Sequence, residues 1–301
     1  METGDLLRKI ISLPLLSNNL AEEMLSGNFR SIFKGQGMEF DEARHYEAGD
    51  DIRSIDWNVS ARFGTPFVKM YREERELTIL ILLDISPSMH RTHIGETSPF
   101  EQALISTALI AFSAEHTDQQ VGAIFFDRDI EKVFPPRKGR KSLMALVMAA
   151  LQYQNNILPR RAQYGSDIAA ALTGAQRLLK KRSLVVLISD FYSINWEQEL
   201  GNLCRKHDCI TLRISDPQEL PFSGLITLED PETGVRIEAP TGLTSFKESW
   251  NQWHNERKAL WESQCRKSGA ALLELSTKED APSSLIKFFS RHGQYKSRKK
   301  T

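Results

Sequence analysis

Two uninterrupted apolar runs constrain this chain most: Leu77-Thr-Ile-Leu-Ile-Leu-Leu83, followed at once by Asp84, and Ser183-Leu-Val-Val-Leu-Ile-Ser189, followed at once by Asp190. Neither alternates polar with apolar residues, as a strand with one wet face would. Such runs suit strands covered on both faces, the condition of a parallel sheet with helices above and below. Helical patterns separate them. Ser98-Pro99 opens one, with Pro tolerated in the first turn, and it continues through Ala103, Leu104, Thr107, Ala108 and Ala111. Residues 141–151 and 167–179 give two more. Residues 121–126 read as a strand, and 130–134 as a piece pairing with it or continuing near it. Beyond Asp190 come a helix (196–206), a strand (209–214), a late strand (270–275) and a final helix (282–291). Strands alternating with helices at this spacing predict an α/β fold built on a doubly wound, mostly parallel sheet.

Some segments fall outside that alternation. Residues 1–75 precede the first core strand and form an extension expected to pack on a core domain of residues 76–292. Residues 225–239 read as an inserted hairpin, turning at Asp230-Pro-Glu-Thr-Gly234. Residues 244–268 form a long amphipathic helix whose Trp250, Trp253, Leu260 and Trp261 are expected to pack onto the sheet, with a partner-facing groove as the alternative. Residues 293–301 are a basic tail, a solubilising end rather than a phosphate-binding arm.

Composition narrows the function classes. Lys plus Arg equals Asp plus Glu at 39 each, so no global charge argues for nucleic acid or an acidic membrane surface. No apolar run approaches the roughly 18 residues that span a bilayer. Pro14 and the polar stretch after it argue against a signal peptide at residues 6–16. Cys204, Cys209 and Cys265 contain no CxxC pair and read as buried reduced thiols of a cytoplasmic protein. His90 and His93 form one close pair, a weak zinc signal in a polar loop.

The chemistry concentrates where the two apolar runs end. Asp84 and Asp190 would both project into the crevice where open α/β sheets bind ligands. Asp84-Ile85-Ser86-Pro87-Ser88 adds two hydroxyls at alternate positions, with Pro87 stiffening the loop and Met89 anchoring it in the core. A carboxylate, hydroxyls and water suit a hard divalent cation, Mg²⁺ or Mn²⁺, rather than zinc. A further hydroxyl is expected from Gly165-Ser166-Asp167-Ile168-Ala169, where Ser166 either reaches the ion or caps the following helix. A DxSxS string is weak alone; after an apolar strand, with a second strand ending in Ser189-Asp190, it becomes fairly specific.

With these residues in place the chain resembles the von Willebrand A superfamily, and more closely the bacterial family called domain of unknown function 58. The resemblance starts at Gly35-Gln-Gly-Met-Glu-Phe40, Arg44-x-Tyr46 and Gly49-Asp50-Asp51-x-Arg53-x-Ile55-Asp56-Trp57. It continues through Ser60-Ala61-Arg62, Pro66-x-Val68-Lys69 and Glu73-Glu74 to the DxSxS, and later through Asp216-Pro217 and Asp230–Gly234. It implies a metal-dependent adhesion site in which Asp84, Ser86, Ser88, Ser166 and Asp190 hold a divalent cation, Mg²⁺ foremost, with Mn²⁺ or Ca²⁺ as alternatives. The family's usual Thr is replaced here by Ser166, which keeps the hydroxyl. An acidic side chain of a protein partner would complete the coordination sphere, and a MoxR-type AAA+ ATPase is the partner that the resemblance implies.

Three readings of residues 46–62 stay open. Asp50, Asp51, Arg53, Asp56, Trp57 and Arg62 pin a small accessory sheet through Arg–carboxylate pairs, or form a partner-binding or regulatory surface, or the Asp pair acts directly in catalysis. Ile55-Asp56-Trp57 is expected to be extended, with its indole buried. The chain reads as a binding module rather than an enzyme. The alternative is Mg²⁺-dependent phosphoryl transfer from an aspartyl phosphate at Asp84. That chemistry wants an acid–base Asp two residues on, where Ser86 stands. No P-loop and no GxSxG elbow occurs.

Overall fold

A computed structural model describes residues 8, 10, 12–14, 17–21, 39–47, 49–72, 77–90, 97–155, 166–216, 224–229 and 235–295. These fall into two compact units, residues 39–72 in the smaller and the others in the larger. In chain order the elements are β1 (Glu39–His45), α1 (Trp57–Phe63), β2 (Phe67–Arg72), β3 (Thr78–Asp84), α2 (Pro99–His116), β4 (Gln120–Phe126), β5 (Ile130–Arg137), α3 (Arg140–Asn155) and α4 (Ile168–Leu178). There follow β6 (Leu184–Ser189), α5 (Glu197–Cys204), β7 (Asp208–Ser215), β8 (Leu225–Glu229), β9 (Arg236–Pro240), α6 (Thr244–Ser268), β10 (Ala271–Ser276) and α7 (Ala281–Tyr295).

The larger unit is built on a sheet in the order β10-β7-β6-β3-β4-β5. Its strands run parallel from β10 to β4, and β5 returns antiparallel beside β4. This is a doubly wound, mostly parallel α/β sheet. The apolar runs dictate it. From Ile79 to Leu83 no side chain of β3 is exposed, and every residue of β6 is buried. Pleating divides the β3 run between two layers. Leu80 and Leu82, with Val185 and Leu187 of β6, pack on Ile168, Leu172 and Ala175 of α4, Leu200 and Leu203 of α5, and Trp261 of α6. Ile79, Ile81 and Leu83 are left for the opposite face, where α2 is buried from Pro99 to Ala114 and packs on α3 and α7. At roughly 2 kcal/mol per fully buried aliphatic side chain, the β3 run outweighs any local propensity and holds the strand at the centre.

Local chemistry sets the boundaries. Ser98 and Glu101 form a reciprocal capping box that starts α2 with Pro99 in its first turn. A Cβ on Gly122 would lie 2.6 Å from the Phe134 carbonyl oxygen, so only glycine lets β5 close this tightly on β4. Residues 8, 10, 12–14 and 17–21 are helical, with Ile10, Leu13 and Leu20 buried in the larger unit. The hairpin forms as β8 against β9; its Asp230–Gly234 turn lies outside the described residues. So do residues 35–38, Glu73-Glu74, His93, Gly165, Pro217 and the tail from residue 296. Among the described residues no helix is long and apolar enough to cross a membrane.

Three expectations need correction. Of the aromatic stripe on α6, only Trp261 is buried; Trp253 is 42% exposed and Leu260 57%. At 25 residues α6 is about 37 Å long, and only its later part, around Trp261 and Cys265, reaches the core. In the smaller unit, Ile55-Asp56-Trp57 is not an extended piece with a buried indole. Ile55 bridges Val68, but the Asp56 carboxylate takes the amides of Asn58 and Val59 and starts α1, which leaves Trp57 69% exposed. Cys204 is half-buried rather than buried, whereas Cys209 and Cys265 are buried; all three thiols are free.

Candidate metal centre

The sheet order places the site. From β3 the chain runs outward through β4 and β5, then crosses back to β6 and on to β7 and β10 at the other edge. Direction reverses between β3 and β6, and ligands of open α/β sheets lie at such a switch point, beyond the carboxyl ends of the strands. Leu83 pairs in register with Ile188, so Asp84 and the Ser189-Asp190 pair emerge side by side.

Both carboxylates are inside the protein: Asp84 has no exposed surface and Asp190 has 4%. Hydroxyls and one amide surround Asp84. The Ser86 amide donates to Asp84 Oδ1 at 2.9 Å. Asp84 Oδ2 accepts from Ser189 Oγ at 2.6 Å and from Ser166 Oγ at 3.0 Å. Ser86 Oγ and Ser88 Oγ lie 3.0 Å apart. After Ser86 the chain turns into a short 3₁₀ segment, Pro87–His90, with Met89 fully buried beneath it.

A backbone bond delivers Ser166. The Asp167 amide donates to the Asp127 carbonyl just past β4, at 2.8 Å, which ties the start of α4 to the strand ends. Asp167, not Ser166, caps α4 by accepting from the Ala170 amide. That leaves the Ser166 hydroxyl for Asp84, and the two roles weighed for Ser166 fall to neighbouring residues.

The electrostatics point to a missing positive charge. Burial, and then the nearby Asp190 charge, push the Asp84 carboxyl up to about 7, against hydrogen bonds from Ser189 and Ser86 that pull it down. Among the described residues no Lys, Arg or His pairs with Asp84. A buried carboxylate without a paired cation is costly in the ionised form, and a divalent ion would remove that cost. Among the described residues no cluster of three or more His, Cys, Asp or Glu is placed to share an ion. The donor set is therefore carboxylate plus hydroxyl, which fits a hard, oxygen-seeking cation and leaves coordination positions for water.

The structure thus brings Asp84, Ser86, Ser88, Ser166 and Asp190 to one crevice. The other residues read as site candidates belong to the smaller unit, where the three carboxylates have local partners. Asp50 accepts from Arg44 at 2.6 Å and from the Glu47 amide at 2.9 Å, and the guanidinium holds its carboxyl below the usual range. Asp51 caps the 3₁₀ turn Ile52–Ser54, and Asp56 caps α1. Arg53, Trp57 and Arg62 are exposed.

Sequence reasoning passed over Ser189. Its hydroxyl donates to Asp84 and accepts from the Phe191 amide at 2.9 Å, tying the two acidic loops together. A serine closing an otherwise apolar buried strand was the available signal. Phe191 itself takes φ 58, a left-handed conformation that non-glycine residues adopt only when their surroundings impose it. Its ring is held by Trp196 and Trp261.

The chain is similar to one protein family and to several known proteins. A family described as "Protein of unknown function DUF58" matches residues 42–259. An uncharacterised protein of Mycobacterium tuberculosis is 28% identical over 282 residues, covering 92% of this chain and 86% of the relative. Among solved structures, the BatB protein of Bacteroides thetaiotaomicron is 17% identical and covers 72% of this chain and 98% of its own, with a TM-score of 0.45. The von Willebrand A domain of SpRpn10 is 14% identical and covers 70% and 94%, with a TM-score of 0.38.

Proposed function

The chain belongs to the DUF58 family, and from that premise we propose that it is a non-enzymatic protein-interaction module whose grip depends on a divalent cation. Asp84, Ser86, Ser88, Ser166 and Asp190 hold the cation, some of them through water, and Mg²⁺ is the ion the donor set suits best. A carboxylate from a protein partner replaces one of the remaining waters. The partner we propose is a MoxR-type AAA+ ATPase, and the setting is cytoplasmic, in keeping with three free thiols. One observation carries the reading: Asp84, a fully buried carboxylate beside Asp190, is ringed by hydroxyls, and among the described residues no cationic side chain pairs with it. Ser86 stands where an aspartyl-phosphate mechanism would place its acid–base carboxyl, and a hydroxyl cannot do that work.

The experiment is calorimetric titration of the full chain with Mg²⁺ and Mn²⁺, on the wild type and on a Ser86→Ala/Ser88→Ala double variant that leaves both charges in place. We expect one ion per chain in the wild type and a loss of at least tenfold in affinity in the variant. Equal affinity in both would overturn the site. Chelator-sensitive recovery of an AAA+ ATPase from cell extract tests the partner; recovery indifferent to chelator would remove the cation from that interface.

A further inference from the structure

The exposed part of α6 has a composition that core packing does not explain. Phe246, Trp250 and Trp253 form a ladder of rings along the helix, with centroids 6.1 and 6.0 Å apart. The ladder continues off the helix: Trp253 stacks on Tyr192 at 6.0 Å with 22° between the planes. The Tyr192 amide donates to Asp190 Oδ1 at 3.2 Å, so the outermost ring stands two residues along the chain from a carboxylate of the candidate cation site. Ile194, in the same loop, is 72% exposed.

Arg257 lies within this surface, one helical turn past Trp253. Its guanidinium sits 4.5 Å over the Tyr192 ring and 5.1 Å over the Trp253 ring, and donates to the Phe191 carbonyl at 3.0 Å. Burial lowers its pKa, against the nearby Tyr192 and Asp190 groups, which raise it. Arginine held flat against aromatic rings keeps an edge of donors for a carboxylate, and that pairing strengthens as water is excluded. One exposed ring, Trp253, and half-buried Tyr192 around a fixed guanidinium have the make-up of interaction hot spots, in which Trp, Tyr and Arg predominate.

We infer that the Tyr192–Trp253–Arg257 surface is the second contact for the partner: it binds an acidic peptide segment, one carboxylate pairing with Arg257 while a neighbouring apolar side chain covers Trp253. Charge decides the occupant. A divalent cation beside the Asp190 loop and a guanidinium on α6 both call for carboxylates, and the rings call for an apolar residue between or beside them. The link to the cation site rests on the function proposed above; the surface itself rests on its own geometry.

The test is selection of a random dodecapeptide library displayed on phage against the full chain with Mg²⁺ present, followed by affinity measurement of the synthesised winner. Enriched peptides should carry Asp or Glu within a few positions of Phe, Tyr, Trp or Leu. Trp253→Ala and Arg257→Glu should each weaken the winner about tenfold or more, and Arg257→Lys should recover part of the loss. The affinity for Mg²⁺ alone should stay unchanged in Trp253→Ala and Arg257→Lys, which separates loss of docking from damage to the Asp190 loop. If the variants weaken the peptide but chelator does not, this surface stands and the cation reading falls. If chelator weakens it and the variants do not, the cation reading stands and this surface is overturned. Enrichment of basic or purely apolar peptides, or of none, overturns it as well. So does a dimer in sedimentation that Trp253→Ala dissolves, which would assign the rings to a second copy of the chain.

Discussion

Two acid-rich regions of this chain differ in what their charges have around them. In the crevice beyond β3 and β6, Asp84 is fully buried and, among the described residues, meets hydroxyls, an amide and the repulsion of Asp190. In the smaller unit, Asp50 holds Arg44, Asp51 holds the amide of Arg53, and Asp56 starts a helix. The sequence density of carboxylates is higher in the second region, yet among Asp84, Asp50, Asp51 and Asp56 only Asp84 is fully buried. An acidic residue whose partners are local is already explained by turn and cap chemistry. One buried without a counter-ion calls for something from outside.

That contrast breaks most directly at Asp84. An ion binding only the folded chain, at a hundred times its Kd, adds about 2.7 kcal/mol of stability. For a domain of this size the thermal midpoint should rise roughly 5 °C or more in saturating Mg²⁺. In Asp84→Ala the rise should vanish. An undiminished rise in the variant would move the ion elsewhere.

Next in size is a pH effect of opposite sign with and without cation. The Asp84 carboxyl is raised from its ordinary 3.8 to about 7 when folded. A raised folded-state pKa means the proton stabilises the folded form. That stability is complete below about pH 4 and is lost as pH climbs through about 7. In chelator, wild type should therefore melt at lower temperature at pH 8 than at pH 5.5, by more than Asp84→Asn does. With excess Mg²⁺ the order should reverse, because the proton competes with the ion. Parallel pH profiles for wild type and Asp84→Asn in chelator would show that Asp84 carries no such strain.

Much of this was legible before the coordinates. Continuous apolar runs place β3 and β6 at the sheet centre, and an Asp following each puts two carboxylates at one switch point; both inferences need only strand periodicity. Ser189 was harder to see, because a hydroxyl ending a buried strand looks like any small core residue until its neighbour across the sheet is known. Trp57 was misread because Asp56 caps a helix, and a cap reverses the face that the next side chain takes. The α6 stripe misled for a related reason: helical spacing says which residues share a face, not how far along its length the helix stays in contact. Arg257 left no signal, since its surroundings come from a loop more than sixty residues earlier in the chain.

Ser189 sharpens the comparison within the crevice. Its hydroxyl supports Asp84 and the Phe191 amide without belonging to the proposed coordinating set. Supporting groups of this kind are commonly worth 10- to 100-fold in metal affinity. Ser189→Ala should weaken Mg²⁺ by about that factor while keeping one ion per chain, which titration calorimetry reads directly. The matching test in the smaller unit is Asp56→Ala. Losing the cap should cost about 1 kcal/mol, seen as faster amide exchange across residues 57–63, with no change in Mg²⁺ affinity. A change in affinity would join the two regions energetically and end the contrast.

The smallest expected effect is the most discriminating for the smaller unit. Trp57 is 69% exposed at the first position of α1, with Ile52 65% and Phe63 69% exposed in the same unit. A side chain that exposed contributes little to folding, and Trp57→Ser should alter stability by no more than about 0.5 kcal/mol. Three large apolar residues left open within so short a stretch are more than scattered surface exposure requires. With Asp50, Asp51 and Asp56 accounted for as partners and caps, a partner-binding reading of this segment rests on its apolar residues. Co-purification separates the outcomes: if Trp57→Ser leaves the melting curve intact but lowers recovery of the partner, the indole is a contact. If recovery is also intact, residues 46–62 serve only their own fold.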